Sequence, residues 1–338
     1  MNILDLLTTD GFQAEHASRG EWHSSCPECG GDDRFSCWPD KTNSNGRYLG
    51  GRFVCRGCGF NGDAVSYLRK RRGLSFMDAV KQLGLDAGPM PEHRIGRRVW
   101  QPAAPGPPPG AAWQARARAL QSACQAQLER NSEAVAWLRA ERGLNPETIK
   151  KAGLGWNPVD VYQNRESWGL PPEMNPDTGK PKKLKIPAGL VIPLCLENQM
   201  YRIRIRRNNP GAGDRYIMVS GSDGKQAMTT WQDQKAVAIF ESELDALLVQ
   251  QEAGDLIGVV ALGSAQQKPD SDLHGRLMAA ERILCCLDSD QAGGKAAWNH
   301  WRIYPGFNRW PTIKGKDATE QWRAGIPVKA WIQAGLLK

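Results

Sequence analysis

Long apolar runs are missing from this sequence of 338 residues. A membrane-spanning helix needs about 20 consecutive apolar residues, and no run in the chain approaches that length. The amino terminus, MNILDLLTTDGFQAEH, also lacks the basic and then apolar pattern of a secretory signal. We therefore expect a cytoplasmic protein that has no membrane partner.

The sequence also lacks a GxxxxGK[ST] phosphate-binding loop, which excludes a fused motor domain of that type. Acidic residues are fewer than basic ones: the chain has 36 Asp and Glu and 44 Lys and Arg, which gives a formal net charge of +8. An excess of basic residues favours a polyanionic partner such as nucleic acid. With 41% hydrophobic residues, the chain has enough apolar side chains to build cores for two or three domains.

Cysteine is neither abundant nor evenly paired, since the chain has nine. Cys285 and Cys286 are adjacent in a predicted strand, where neighbouring side chains point to opposite faces. This arrangement does not fit a disulfide framework, and metal ligation explains some of the cysteines better.

Four cysteines form two CxxC pairs, CPECGG with Cys26 and Cys29, and FVCRGCGF with Cys55 and Cys58. Two such pairs can place four sulfurs around one Zn²⁺ ion, and the glycines that follow them permit tight turns. The alternatives are four unrelated core thiols or a redox pair, and a redox site would need only one CxxC. We predict a structural zinc site from which His23 and Cys37 are excluded.

The residues between the two pairs mix arginine with aromatic residues in three predicted short strands, DRFSCWPD, GRYLGG and RFVC. Arginines contact phosphates and aromatic faces stack on bases, so Arg34 and Arg52 become candidates for binding single-stranded DNA. Alternatively, the aromatic residues are the small core of the zinc module. The next segment predicts two helices that begin at Asp63 and Ser75.

The fold class that we predict is multidomain, α+β and α/β. Residues 86–112 contain seven prolines and are predicted to be an extended, semi-rigid linker. Helical spacing dominates residues 113–152, strands are predicted at 189–196 and 200–207, and strands alternate with helices after 235. The predicted domains are a small β zinc module (1–85), the linker (86–112), a helical and basic mixed α+β region (113–234) and an α/β region with parallel strands (235–338).

Carboxylates follow the predicted strands of the last region. Glu241 ends the strand AVAIF, Asp288 and Asp290 end ILCCL, and Asp317 lies in KGKDATE. Ligands gather at the carboxyl ends of parallel strands, and hard oxygen donors there select Mg²⁺ or Mn²⁺. The alternative is that these acids only cap the helices that follow.

Basic residues upstream of these acids are the candidates for binding a nucleic acid or a nucleotide. The strand MYRIRIRR predicts one apolar face and one face of arginines. The candidates are Arg204, Arg206, Arg215, Lys183 and Lys185.

Several of these motifs together resemble the bacterial-type DNA primases. FESELDALLVQQEAG, VVALGSA and CLDSDQAGGKAAW are similar to the glutamate motif, the middle strand and the DxD motif of the TOPRIM domain. WLRAERGLNPETIKKAGLGW and GLVIPLCLENQMYRIRIRR resemble the preceding part of the primase core. The cysteine module looks like the zinc ribbon of primases from phages, plasmids and other mobile elements.

The resemblance implies an enzyme that synthesises short RNA primers on single-stranded DNA from nucleoside triphosphates by two-metal nucleotidyl transfer. It implies that Glu241, Asp288 and Asp290 are catalytic and hold Mg²⁺ or Mn²⁺. Asp317 corresponds to a further acidic position, but Thr319 stands where the family often has a second acid. We expect a replicative helicase, if one is needed, to be a separate protein.

Two alternatives remain open. A TOPRIM nuclease would use the same acids to hydrolyse phosphodiesters, although it would lack the primase-type zinc ribbon. A catalytically inactive zinc-ribbon protein that regulates by binding DNA would not need the acidic set.

Overall fold

The computed structural model describes residues 1–41, 48–85, 100–176, 178–211, 213–264 and 266–337. The chain divides into two compact units. The first unit contains Met1–Gln101, Cys285–Ile303 and Phe307–Asp317, and the second contains Pro102–Leu284, Tyr304–Gly306 and Ala318–Lys338. None of the described helices is long and apolar enough to cross a membrane.

The described residues fold into helices and strands that follow one another along the chain. In order, they are α1 (Ile3–Thr9), β1 (Glu15–Ser18), β2 (Glu21–Cys26), β3 (Gly30–Trp38), β4 (Arg52–Cys55), β5 (Asn61–Asp63), α2 (Ala64–Arg72), α3 (Phe76–Leu83), α4 (Ala111–Arg130), α5 (Ser132–Arg142), α6 (Pro146–Lys151), β6 (Gly155–Asn157), β7 (Val161–Asn164), β8 (Lys183–Ile186), β9 (Gly189–Leu196), β10 (Gln199–Arg207), β11 (Tyr216–Met218), β12 (Met228–Thr229), β13 (Ala236–Phe240), α7 (Glu243–Ala253), β14 (Gly258–Ala261), α8 (Ser271–Ala279), β15 (Arg282–Cys285), α9 (Gln291–Ala296), β16 (Phe307–Arg309), α10 (Ala318–Arg323) and α11 (Val328–Leu337).

An antiparallel sheet with the strand order β1-β2-β3-β4-β5 forms the cysteine module of the first unit. Its apolar face packs on α1, α2 and α3 around a core that includes Phe35, Phe53 and Tyr67. Residues 48–51 contain no strand and turn at Leu49 and Gly50, so the predicted strand in GRYLGG is wrong for its described part; residues 46 and 47 lie outside the described residues.

The two helices after the module begin at the residues that the sequence predicts. Asp63 caps α2 by accepting a hydrogen bond from Ser66 N, and Ser75 caps α3 by accepting from Asp78 N. Side-chain oxygens at these positions satisfy backbone N–H groups that the first helical turn leaves without partners. Both cap predictions are confirmed.

The second unit begins with helices and an antiparallel sheet whose strand order is β11-β10-β9-β6. Ile203 and Ile205 of β10 pack in a core with Trp113 of α4 and with Trp168. Helix α5 ends at Gly143, which adopts φ 68°. That left-handed conformation suits a residue without a Cβ atom.

The α/β part of the second unit places β13 beside β14 in parallel register, with Val237 opposite Gly258. The predicted parallel pairing is therefore confirmed for these strands, whereas β12 adds to the edge of β14 in the antiparallel direction. Every residue of β13 and β14 is buried. Strands that are covered on both faces have sequences that are continuous apolar runs.

Part of the predicted linker, residues 86–99, lies outside the described residues. From residue 100 to residue 110 the chain has neither helix nor strand, and α4 begins at Ala111. Ala103 O accepts a hydrogen bond of 2.8 Å from Ser271 N. This contact attaches the proline-rich segment to the second unit.

Candidate metal centres and nucleic-acid surface

Four cysteine sulfurs meet at one point of the first unit. The sulfurs of Cys26, Cys29, Cys55 and Cys58 all lie within 4.8 Å of one another. Cys26 Sγ is 3.7 Å from Cys58 Sγ, and Cys29 Sγ is 3.6 Å from Cys55 Sγ. Four thiolates at about 2.3 Å from a tetrahedral Zn²⁺ have nearly this spacing. The donor set therefore fits a structural zinc ion.

The loops of the two CxxC pairs also direct backbone donors at the sulfurs. Glu28 N donates to Cys26 Sγ at 3.4 Å, and Gly57 N donates to Cys55 Sγ at 3.3 Å. Gly59 adopts φ 74°, which favours glycine and permits the tight turn after the second pair. N–H groups directed at sulfur stabilise the thiolate form that binds a metal.

His23 and Cys37 have other surroundings, as the sequence predicts. His23 Nε2 lies 2.9 Å from Glu21 Oε1, and Cys37 is fully buried in the core of the module. Burial raises the pKa of Cys37 to about 12, so it stays a thiol. Neither residue belongs to the four-cysteine cluster.

The aromatic residues of the module form its core. Phe35 and Phe53 have no exposed surface, and their ring centroids are 5.0 Å apart in a stacked pair. Rings buried in this way are unavailable for stacking on bases. The core interpretation, which the sequence left open, is therefore the correct one for Phe35 and Phe53.

The predicted nucleic-acid arginines of the module are half-buried and engaged within the protein. Arg34 Nη2 donates to Thr312 O at 2.7 Å, and both residues belong to the first unit. The guanidinium of Arg52 lies over the ring of Tyr48, 5.3 Å from its centroid. Arg34 therefore connects the zinc module to the segment around residue 312, which sequence reasoning missed.

Glu241 lies in the second unit, directly after β13. Its carbonyl oxygen accepts a hydrogen bond of 2.8 Å from Gly263 N. Ser242 begins α7 as its N-cap and accepts a hydrogen bond from Leu244 N. These backbone contacts hold Glu241 at the carboxyl end of a parallel strand.

The next acid, Glu243, is buried and forms ion pairs with two arginines of β10. Its Oε1 lies 3.1 Å from Arg202 Nη2, and its Oε2 lies 2.8 Å from Arg204 Nη1. Only 2% of the Arg202 side chain and 16% of the Arg204 side chain are exposed. Burial lowers the pKa of Arg202, and the charge of Glu243 opposes that shift.

The predicted face of arginines on β10 is thus covered by Glu243 at Arg202 and Arg204. The ring of Tyr216 also lies against Arg204, with its centroid 4.5 Å from the guanidinium carbon. Arg206 lies over Trp137 at 4.6 Å, and burial lowers its pKa. Alternation of Ile and Arg correctly predicted the apolar face, but the partner of the arginines lies 39 residues or more along the chain.

The other predicted basic residues are exposed. Arg215 and Lys183 face solvent, whereas Lys185 Nζ pairs with Asp160 Oδ2 at 2.8 Å.

Asp288 and Asp290 lie in the first unit, after β15. Asp290 caps α9, because its Oδ1 accepts a hydrogen bond of 2.9 Å from Gly293 N. Asp288 O accepts a hydrogen bond of 3.2 Å from the buried Arg309, and Asp288 Oδ2 lies 3.7 Å from Lys316 Nζ. Asp290 therefore does cap the helix that follows it, through Oδ1 of its carboxylate.

Gly293 permits the close turn that holds these aspartates. A Cβ atom at this residue would lie 2.2 Å from Asp288 O, a distance that real contacts do not reach. The glycine in DSDQAGG therefore allows the start of α9 to pack directly on the backbone of the aspartate segment.

Asp317 ends the part of the first unit that follows β16, and the chain then enters α10 of the second unit. Thr319 donates from its N and its Oγ1 to Asp245 Oδ1, at 2.9 and 2.5 Å. Asp245 is buried with 3% of its surface exposed. Thr319 is thus the hydrogen-bond partner of a buried aspartate.

Comparison with known proteins gives matches along most of the chain. A family model described as the zinc-binding domain of primase-helicase matches residues 21–65. The DNA primase of Pseudomonas putida is 26% identical over 333 residues, covering 88% of this chain and 47% of that protein. The DNA primase of Haemophilus influenzae is 25% identical over 274 residues, covering 73% of this chain and 44% of that protein.

A solved structure covers nearly the whole chain. The zinc-binding and RNA polymerase domains of the Aquifex aeolicus primase match with a TM-score of 0.50 and 18% identity, covering 98% of this chain and 82% of that one. The chain therefore has the fold predicted from the resemblance, an amino-terminal zinc ribbon followed by a primase core of mixed α and β structure. The resemblance to bacterial-type primases is confirmed, and the chain spans about half the length of the curated relatives that it matches.

Proposed function

We propose that this protein is a DNA primase, which synthesises short RNA primers on single-stranded DNA. The observation that carries the proposal is the similarity to bacterial DNA primases over most of the chain, with the zinc-binding family model at the amino terminus. The proposed substrates are nucleoside triphosphates and a single-stranded template. The proposed setting is cytoplasmic replication of a phage, plasmid or other mobile element, with a helicase as a separate partner.

The four-cysteine cluster is the proposed zinc site. Its sulfur spacing and its backbone N–H donors support a closed structural centre, in which all four positions are filled by protein. Zinc would hold the ends of β2 and β4 together in a module with a small apolar core. This role requires no catalytic chemistry from the zinc ion.

Glu241, Asp288 and Asp290 are the proposed catalytic acids, with Asp317 as a further cation ligand. Carboxylate oxygens are the hard donors that Mg²⁺ and Mn²⁺ select. Bound there, the cations would supply charge neutralisation at the triphosphate and activation of the primer 3′-hydroxyl. The family motifs and the positions of Glu241 and Asp288 after strands support this assignment, and each acid is described within its own unit.

The basic residues proposed to bind nucleic acid or nucleotides fall into an exposed group and a partly buried group. Arg215 and Lys183 are exposed and would contact template or triphosphate phosphates, as would Lys185 after exchange of its exposed Asp160 partner. Arg204 and Arg206 are proposed to contact phosphates from partly buried positions. Tyr216 and Glu243 fix the orientation of Arg204, and Trp137 fixes that of Arg206.

Primer synthesis by purified protein tests the proposal. The reaction contains single-stranded DNA of mixed sequence, Mg²⁺ or Mn²⁺, four ribonucleotides and labelled ATP. We expect short labelled products from the wild type and none from Asp288→Asn/Asp290→Asn.

Asp270→Asn is the matched control, because Asp270 caps α8 through Leu273 N as Asp290 caps α9. It should keep wild-type synthesis. Products that persist in the double variant would contradict the assignment, and metal-dependent degradation of the DNA in place of synthesis would contradict the proposed reaction.

A further inference from the structure

We propose that the zinc ribbon holds the aspartate segment, residues 288–290, in place. Its packing against residues 285–303 and 307–317 then sets the affinity of Asp288 and Asp290 for a divalent cation. The proposal rests on the proposed function for the role of these two aspartates. All residues that carry it belong to the first unit, which joins the ribbon to residues 285–303 and 307–317.

One connection runs from the second CxxC pair to the helix after the aspartates. A Cβ atom on Gly59 would lie 2.4 Å from the ring of Trp298, so the ring packs directly on the backbone of the turn. A Cβ atom on Gly294 of α9 would lie 3.2 Å from Arg56 Cβ. The turn that contains the second CxxC pair and Gly59 therefore packs against α9 and the residues that follow it. The first turn of α9 is hydrogen-bonded to Asp290.

A second connection passes through Arg34. Its side chain packs along the same turn, because Arg34 Cδ lies 3.2 Å from the position of a Cβ atom on Gly57. At its end, Nη2 donates to Thr312 O at 2.7 Å. Thr312 Oγ1 in turn contacts Ser289 Oγ at 3.3 Å and donates to Gly315 O at 2.5 Å.

Ser289 lies between the two aspartates, so this second connection reaches the segment that would hold the cation. Ser289 N also donates to Lys316 O at 2.7 Å, which ties the aspartate segment to the loop that Arg34 holds. Each aspartate is therefore positioned by a group that the ribbon contacts. Groups that orient metal ligands typically change metal affinity about 10- to 100-fold when they are removed.

Two substitutions weaken the docking while they leave all four cysteines in place. Gly294→Val adds atoms where Arg56 packs, and Arg34→Met removes the hydrogen bond to Thr312 while keeping an apolar side chain of similar length. Gly275→Val is the matched control, since Gly275 also lies in a helix but, among the described residues outside its own helical turn, no atom lies within 4 Å of its Cβ position.

The experiment titrates zinc-loaded full-length protein with Mn²⁺ alone and measures the free ion by electron paramagnetic resonance. We expect Gly294→Val and Arg34→Met to bind Mn²⁺ about 10-fold or more weakly than the wild type, with unchanged zinc content. Gly275→Val should bind as the wild type does, and Asp288→Asn/Asp290→Asn should lose the site.

The outcomes separate this inference from the proposed function. Wild-type Mn²⁺ affinity in both docking variants, together with loss of binding in the aspartate variant, would overturn the inference and leave the cation site intact. Wild-type binding in the aspartate variant would overturn the cation site itself and the inference with it.

Discussion

The buried ion pairs of Glu243 are predicted to contribute strongly to the stability of the second unit. The carboxylate compensates Arg202, of which 2% is exposed, and Arg204, of which 16% is exposed. Arg202 also donates to Gln226 O at 2.7 Å, so its guanidinium is fixed in a buried position. Glu243→Ala would leave this buried positive charge without the carboxylate that contacts it directly.

Breaking a buried ion pair by removing one partner costs about 3 to 5 kcal/mol. We therefore expect Glu243→Ala to lower the free energy of unfolding by about that amount. With a denaturant dependence of about 1 to 3 kcal/mol per molar urea, the midpoint should fall by about 1 M or more. Urea unfolding of the full chain, followed by circular dichroism, measures the shift.

Glu281→Ala is the control for this measurement. Glu281 pairs with Lys235 at 2.8 Å, but 64% and 78% of the two side chains are exposed. Exposed pairs contribute about 0 to 1 kcal/mol. If Glu243→Ala proved no more destabilising than Glu281→Ala, the account of a compensated buried charge would be refuted.

Three further predictions concern thiols, a buried hydrogen bond and DNA binding. In zinc-loaded protein, a thiol reagent should modify Cys195, the exposed cysteine outside the four-cysteine cluster. Because desolvation raises the pKa of Cys195, its modification should accelerate only at higher pH than that of a free thiol. Rapid modification of several thiols would contradict the zinc centre. Thr319→Val should cost about 1 to 3 kcal/mol in urea unfolding, because Asp245 loses a buried donor, whereas Thr319→Ser should be nearly neutral. Arg215→Ala should reduce the slope of log affinity for single-stranded DNA against log salt by about 0.7; Lys329→Ala, which breaks a 2.7 Å pair with Asp255, should not change that slope.

Patterns confined to short segments predicted the fold well. The CxxC pairs needed only their spacing to indicate one metal centre, and Asp63 and Ser75 needed only the next turn of helix to act as caps. The apolar run at 236–240 likewise predicted a strand, and the alternation of strands with helices after residue 235 predicted its parallel pairing. The caps depend on groups within a few residues of one another, whereas the metal centre and the parallel pairing follow from the spacing of motifs and the order of elements along the chain.

Contacts between distant residues limited what the sequence could predict about the site. The alternation in β10 predicted a face of arginines but gave no indication that Glu243 covers it. Phe35 and Phe53 could have been a base-stacking surface until the packing of α1 and α2 placed them in the core. Residues 285–303 and 307–317 pack with the ribbon, although the intervening chain forms the other unit.

Extension of a preformed primer by one nucleotide tests the central claim most directly, because it measures nucleotidyl transfer without initiation. Wild-type protein, a labelled RNA primer annealed to a DNA template, Mn²⁺ and the next ribonucleotide should give a product one nucleotide longer. Glu241→Gln should reduce that product to background, while Glu281→Ala should retain it. Equal extension by Glu241→Gln and the wild type would contradict the claim that Glu241 is a catalytic acid, and no extension by any form would contradict the proposed primase activity.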